Sequence, residues 1–522
     1  MKKRVLCALF AAALLATSVM AGCSGGEASA NNTPSSSQAD DSKNDASTAE
    51  SQASDTESQA SSLLSLGSGT LAGLKATKVN SVSFEAKAVI RESAGFVYET
   101  DDGKFGVMPF DGSARSDAKY VNVNSAGMPE NGTGYFTVRT GTDTSNVNNV
   151  GLIDDKGNEI LPCKYAFISQ LNERYFKVIT ADKETTSKGD AVYEVEEELT
   201  LSTSLDNTVY VETVKKDEFT GKAAMYTGKW EVYDLKNKAM VKDAAGTKPR
   251  SLKALGQFII FDDENNNEIR LNGSGSAITD SRTILSNGDY VLEINGKSAV
   301  YDSEDRRLFN FNSSEYSIYS FEDPYYVGRI ESNNNFVLIN EQGETVSAEI
   351  DGYISSVAPQ GYISDEVLYK LDGTPMSDQR FTSLKADTVN KDACVAYKGS
   401  VYGVFDSEGN LIVSCNTDED EIKGSDFKFF KGATSPYQCL NFGSGEYNIE
   451  GTFIEDWLVQ QEAGKVYDII DSRTGEKLLN SSYGKYDTCK TKNGKMYLYA
   501  YNSINGSTSY SDFDVYTVSI NG

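Results

Sequence analysis

The chain has 522 residues, 76 acidic and 49 basic, for a formal charge of -27. That balance repels nucleic-acid phosphates and anionic lipid surfaces, so neither is expected as a partner. Histidine is absent, which excludes Ser-His-Asp and Cys-His nucleophile systems, imidazole bases and His-ligated zinc.

In chain order, Lys2, Lys3 and Arg4 form a positive n-region, and Val5 to Val19 an apolar stretch. The stretch is shorter than the about 20 residues a spanning helix needs. Met20-Ala21-Gly22-Cys23 resembles the lipobox cut by lipoprotein signal peptidase, so residues 1–22 are expected to be a lipoprotein signal peptide. By that resemblance, the Cys23 thiol is the lipid attachment site, carrying a diacylglycerol. Each buried CH2 contributes about 0.8 kcal/mol, so two acyl chains hold where one is marginal. The expected location is the extracytoplasmic face of a bacterial cell membrane, with membrane contact through the anchor only.

From Cys23 to Leu66 the composition is Ser, Ala, Asp, Asn, Gln, Thr and Glu, with almost no large apolar residue before Leu63. Such a segment cannot bury enough surface to offset its ordering entropy and reads as a disordered linker. As a coil it would span on the order of 35 Å.

Residues 67–522 read as one all-β domain. Tyr (30) and Phe (23) are abundant, Pro (9) is scarce, and long amphipathic helical stretches are absent. A phrase recurs in this region: apolar residues, an Asp or Asn, a short polar run, a Gly, then a second apolar run. Its clearest copies begin at Gly151-Leu152-Ile153-Asp154 and Gly403-Val404-Phe405-Asp406. The phrase reads as a β-hairpin in which Asp accepts a backbone N–H two residues on and Gly takes the positive φ. Other turns are expected at Asp111-Gly112, Asp234 to Asn237, Asp262 to Asn265, Asp302 to Asp305, Asn340 to Gly343, Asp372-Gly373 and Asp471 to Gly475. Their spacing, mostly about 30 to 45 residues, is that of four-stranded propeller blades. The alternating stretch Val192 to Val214 predicts an extra hairpin near 183–225, turning at Leu205-Asp206-Asn207 and projecting as an interaction element.

The copy running from Val150-Gly151-Leu152-Ile153-Asp154 through Gly157 to Pro162-Cys163-Lys164-Tyr165 resembles the WG-repeat family. Shorter matches are Phe105-Gly106-Val107 with Lys119-Tyr120, and Tyr402-Gly403-Val404-Phe405-Asp406. Phe105, Val150 and Tyr402 stand where the family favours Trp. The resemblance implies a repeat scaffold and transfers no catalytic residue. Asp471-Ser472-Arg473-Thr474-Gly475 separately resembles the Asp-x-x-Thr-Gly blade signature of quinoprotein-like propellers, with Leu479 where that family expects Trp.

Cys163, Cys394, Cys415, Cys439 and Cys489 form no Cys-x-x-Cys pair, and they read as buried small hydrophobes. Cys394 and Cys415 are expected on the outer strands of one three-strand meander, too far apart to bridge. Asp418-Glu419-Asp420-Glu421 and Asp262-Asp263-Glu264 with Asn265 to Glu268 are rich in oxygen ligands but lack EF-hand spacing. Tyr316, Tyr319, Tyr325 and Tyr326, and Tyr497, Tyr499 and Tyr501, offer either sugar-stacking platforms or strand packing.

The expectation is an all-β propeller of about seven or eight blades. A strand near Val82 to Ile90 should close the ring by pairing with one near Val515 to Ile520. Its function is a non-catalytic binding or protein-interaction module for an unknown protein or cell-surface glycan, with no catalytic residue, cofactor or metal ligand assigned. The alternatives are a carbohydrate-active enzyme using two carboxylates and an envelope-assembly scaffold lipoprotein.

Overall fold

The computed structural model describes residues 64–127, 134–141, 148–183, 199–203, 208–213, 222–246, 250–263, 265–294, 296–416, 422–504 and 507–521. The signal peptide, Cys23 and the linker up to residue 63 lie outside them. Among the described residues the structure is all-β, without a helix, and its strands pair antiparallel in nine sheets.

Most sheets are meanders of three or four strands that follow one another along the chain, spanning 88–108, 122–165, 250–271, 283–311, 316–339 and 354–380. The turn spacing predicted seven or eight units. The nine sheets differ from that number, and the largest has ten strands. It runs on because two strands bend and serve two partners. Residues 446–451 pair with 437–441 while 452–455 pair with 458–460, and 477–490 likewise divides between 467–470 and 496–502.

Strand alternation explains the stacking. In 496–504, Met496, Leu498 and Ala500 face one apolar cluster, whereas Tyr497, Tyr499 and Tyr501 face another containing Phe96, Phe110 and Phe513. In 393–398, Ala393 and Val395 face forward, and Cys394 and Ala396 face back onto Ile363 and Phe381. Sheets with two apolar faces must be covered on both sides, and each packs on the next in chain order. Val97 and Val107 meet Phe136 and Val138, Leu152 meets Ile168 and Val178, and Trp230 and Val232 meet Ile259 and Phe261. Phe258 meets Tyr290, Val300 meets Tyr326, and Leu338 meets Tyr362. The last sheet packs on the first through Tyr499, Phe513 and Phe96.

The hairpin reading of the repeated phrase is borne out. Asp154 Oδ1 accepts the N–H groups of Lys156 (3.0 Å) and Asn158 (2.8 Å), and Gly157 has φ +83°. Asp406, Asp263, Asp302 and Asn340 repeat the same pair of bonds to residues two and four further on. A turn of this kind at Asn272 carries no Asp and was not anticipated. The strand glycines of the phrase have a separate cause. A Cβ on Gly106 would lie 2.5 Å from the Tyr98 ring, and one on Gly151 would lie 2.8 Å from Leu161 O. The downstream tyrosines pair back to the start of each copy, Tyr120 with Phe105 and Tyr165 with Val150.

The early strand of the folded body meets the last one, although not where the sequence placed the contact. The strand Leu74–Ser83 pairs with Ser507–Ile520, with Val82 opposite Phe513, while Ala88–Glu92 belongs to the next sheet. The expected linker also ends early. Leu64–Leu66 adds an edge strand to 411–416, and the N–H groups of Gly67 and Gly69 bond to Ile412 O and Leu411 O. Thr70 N–H then donates to Asp406 and Leu74 N–H to Asp471 Oδ2 (2.8 Å). Residues 64–83 thus form a strap across the last sheets.

The extra hairpin is present as backbone. Strand Thr208–Thr213 pairs with 222–227 of a 13-residue strand, and Leu199–Thr203 pairs with Thr208–Thr213, so the two extend the sheet of 167–246. Its expected turn at Leu205-Asp206-Asn207 lies outside the described residues, as do residues 184–198.

Removing residues 507–522 strips the partner from 74–83 and deletes buried Phe513, Val515, Tyr516 and Val518. At roughly 1.5–3 kcal/mol per side chain, that approaches the entire stability of an ordinary domain. We expect this truncation to abolish the cooperative thermal transition followed by circular dichroism. A truncated monomer melting like the intact protein would contradict a structural role for this pairing.

Candidate functional site

Turns and strands of neighbouring sheets are tied to one another by hydrogen bonds. Asn172 donates to Gly256 O (2.8 Å) and the Tyr175 hydroxyl to Gln257 O (2.8 Å). Gln257 and Tyr290 both donate to Asp305 (2.8 Å each), and Tyr326 donates to Asp289. The Tyr325 hydroxyl reaches Pro359 O (3.2 Å), Gln360 reaches Lys391 O (3.0 Å), and Trp457 Nε1 reaches Asp387 (2.7 Å). Arg91 pairs with Asp487 (2.9 Å), joining the last sheet to the first.

Turns from four sheets line one cavity of about 260 Å³, bounded by Asp323 and Pro324, Pro359, Asp387, Thr388 and Lys391, and Lys492 to Gly494. It holds two carboxylates, Asp323 and Asp387. Asp387 is consumed by its surroundings: Oδ1 accepts Val389 N–H (2.9 Å) and Oδ2 the Trp457 indole. Lys492 reaches from here to pair with Glu173 in a neighbouring pocket. A second cavity of about 400 Å³ lies beside the strap, between Gly69 to Leu71 and Asn441 to Ser444.

A third cavity, about 350 Å³, opens between the sheets of 122–165 and 167–246. Register places its polar wall on one sheet face, with Asn122 opposite Arg139 and Asn124 opposite Thr137. Asn124 Nδ2 donates to Asn122 Oδ1 (2.6 Å) and Thr137 Oγ1 to Asn124 O (3.3 Å). Ala166 to Ser169 form the other wall. Arg139 is half-buried, and burial alone pulls its pKa below that of a free guanidinium. Among the described residues no carboxylate pairs with it. Arg174, Arg282 and Arg473 are each matched to an Asp.

The sequence singled out none of the residues on this polar wall. The available signal was the alternation Asn122-Val123-Asn124 and Thr137-Val138-Arg139, which puts polar side chains on the face opposite Val123 and Val138. The tyrosines that were singled out are mainly packing. Tyr497, Tyr499 and Tyr501 are buried, as is Tyr326, and Tyr316 stacks on Phe311. Tyr319 alone of these is strongly exposed, at 61%. Asp471, of the Asp-x-x-Thr-Gly segment, is buried and accepts from Leu74 N, Arg473 N (2.9 Å) and Thr474 Oγ1 (3.1 Å), so it is a clasp for the strap. Burial outweighs those bonds and raises its pKa.

These five cysteines are free, and Cys394 and Cys415 sit on the two strands flanking 401–406 as expected, but the sheet has five strands rather than three, so neither strand is an outer one. Asp263 serves its turn, and the 418–421 cluster lies outside the described residues. Among the described residues no group of three or more His, Cys, Asp or Glu could hold a metal ion.

No family model matches the chain, and no curated protein does. Among solved structures it is similar to BamB from Moraxella catarrhalis, at 12% identity over 85% of this chain and 98% of that one, with a TM-score of 0.22. It is also similar to the computationally designed Ika8 protein (12%, 70% and 97%, TM-score 0.19) and to a eukaryotic initiation factor (11%, 67% and 97%, TM-score 0.22). Scores this low carry no inference, so the fold rests on pairing and packing.

One carboxylate stands apart from the turn pattern. Asp155 is buried, its Oδ1 has no hydrogen-bond partner among the described residues, and desolvation raises its pKa from 3.8 to about 6. The folded state therefore binds this proton more tightly than the unfolded chain. Stability is fully present below about pH 4 and is lost as pH rises through about 6. Asp155→Asn is expected to stabilise the protein at pH 7.5 by roughly 1–2 kcal/mol, with the difference disappearing near pH 4 in paired thermal melts. An equal effect at both values would mean the carboxyl is not held neutral by burial.

Proposed function

We propose that the chain is a lipid-anchored, extracytoplasmic binding module built on a WG-like repeat propeller, without chemistry of its own. The observation that carries this reading is how the carboxylates are used. The Asp of each repeated turn is engaged by its own backbone N–H groups, while the cavity between the second and third sheets is lined by apolar residues, amides, hydroxyls and one guanidinium, with no carboxylate among the described residues. Glycosidase chemistry needs two carboxylates across a cleft with separated pKa values. The cavity that holds two has Asp387 tied to an indole and a turn.

In this reading the consecutive sheets are sectors around an axis, and the 74–83 strand latches onto 507–520 to close the ring. Packing of each sheet on the next, and of the last on the first, supports it, as does convergence of turns from four sheets on one cavity. Closure leaves few free edges. The nine hydrogen-bonded sheets favour more sectors than the seven or eight of the turn spacing. Cys23 anchors this body through the polar linker, and its partner is a cell-surface glycan or a protein. A second reading, an envelope-assembly scaffold, is favoured by the strands 199–203 and 208–213, which add a hairpin to the sheet of 167–246 of the kind that docking elements use.

Two experiments test this. Cys23→Ala should abolish lipid labelling and release the protein from the membrane fraction; continued labelling would refute the anchor. Full-length protein in mild detergent, applied to a glycan array and used in cell-wall pull-downs with product analysis, should retain a ligand unchanged. Sugar turnover abolished by Asp323→Asn would overturn the non-catalytic reading.

A further inference from the structure

The groove between the second and third sheets gathers one guanidinium, two amides and hydroxyls beside an apolar wall. Four polar side chains project from one sheet face in two cross-strand pairs, Asn122 with Arg139 and Asn124 with Thr137. The opposite wall is the strand of Ile168 and Ser169. In a chain with 27 more acidic than basic residues, a half-buried arginine without a carboxylate among the described residues is out of pattern. A guanidinium presents a planar fork of N–H donors suited to a carboxylate or phosphate, and flanking amides and hydroxyls supply the donors and acceptors that read sugar hydroxyls.

We infer that this groove binds a sugar chain bearing an isolated anionic group, a carboxylate or a phosphodiester, with Arg139 engaging the anion and Asn122, Asn124 and Thr137 engaging neighbouring hydroxyls. The inference rests on the binding-module reading and narrows its ligand class. Overall charge sharpens it further. A field set by -27 charges opposes densely charged polyanions, so the ligand is a sparsely charged glycan. Arg139 is a specificity residue here: losing it should cost the anionic ligand and spare a neutral one.

The test is calorimetric titration of the full-length protein in mild detergent with three probes: a galactose trisaccharide ending in a single galacturonic acid, the neutral galactose trisaccharide, and the same trisaccharide carrying a single glycerol phosphodiester. At least one anionic probe should bind tenfold or more tightly than the neutral sugar, and which one binds identifies the carboxylate or the phosphodiester as the source. Arg139→Gln should weaken that probe tenfold or more while leaving the neutral sugar and the thermal melt unchanged. Arg139→Lys, which keeps the charge but loses the fork, should fall between. Equal affinity for charged and neutral probes, no binding of either anionic probe, or an unaffected Arg139→Gln variant would each overturn the assignment. Ligand retention in the array or cell-wall pull-down alongside any of these results would leave the binding-module reading standing. Failure of both would remove both.

Discussion

Everything in the folded body depends on antiparallel pairing between Leu74–Ser83 and Ser507–Ile520, clasped by the buried Asp471 carboxylate. Each sheet exposes two apolar faces that only its neighbours can cover, so an array of such sheets has an unsatisfied face at either end. Bringing the first strand back to the last sheet covers both. The clasp adds directionality: Asp471 accepts one N–H from the strap and two donors from its own turn. Leaving buried donors unpaired costs about 1–3 kcal/mol apiece. Segments more than 400 residues apart in the chain are thereby held in one register.

The same economy governs the acidic residues. Asp and Asn recur because a tight hairpin leaves N–H groups two and four positions on that a carboxylate or amide oxygen can accept. A side chain with its oxygens so engaged is a poor general acid or metal ligand. The groove residues Asn122, Asn124, Thr137 and Arg139 have no such turn to serve. They lie on strand faces, where a polar side chain must be explained by solvent or by a ligand.

Local features were legible in the sequence because their causes are local. The Asp154, Asp406 and Asp302 turns could be read directly, since each oxygen bonds residues two and four further along. The Cys394 and Cys415 placement followed from strand alternation. Long-range features were not legible. Leu64–Leu66 looked like linker because three residues among Ser and Gly carry no strand signal, and their partner 411–416 lies some 350 residues away. The closing strand was placed near Val82 to Ile90 because Lys75, Lys78 and Asn80 obscure its apolar pattern. Those positions are exposed or half-exposed, and a register shift between Lys78 and Asn80 moves the buried residues from one face to the other, breaking the alternation. The groove was hidden for a related reason: polar residues alternating with Val123 and Val138 look like an ordinary solvated strand face until a neighbouring sheet supplies a second wall beside them.

The most direct measurement is native-state hydrogen exchange across the whole chain. If closure holds the array together, amides of 74–83 and 507–520 will open only with the interior strands 393–398 and 401–406, at one common free energy. Early, independent exchange of 74–83 while those interior strands stay protected would contradict it.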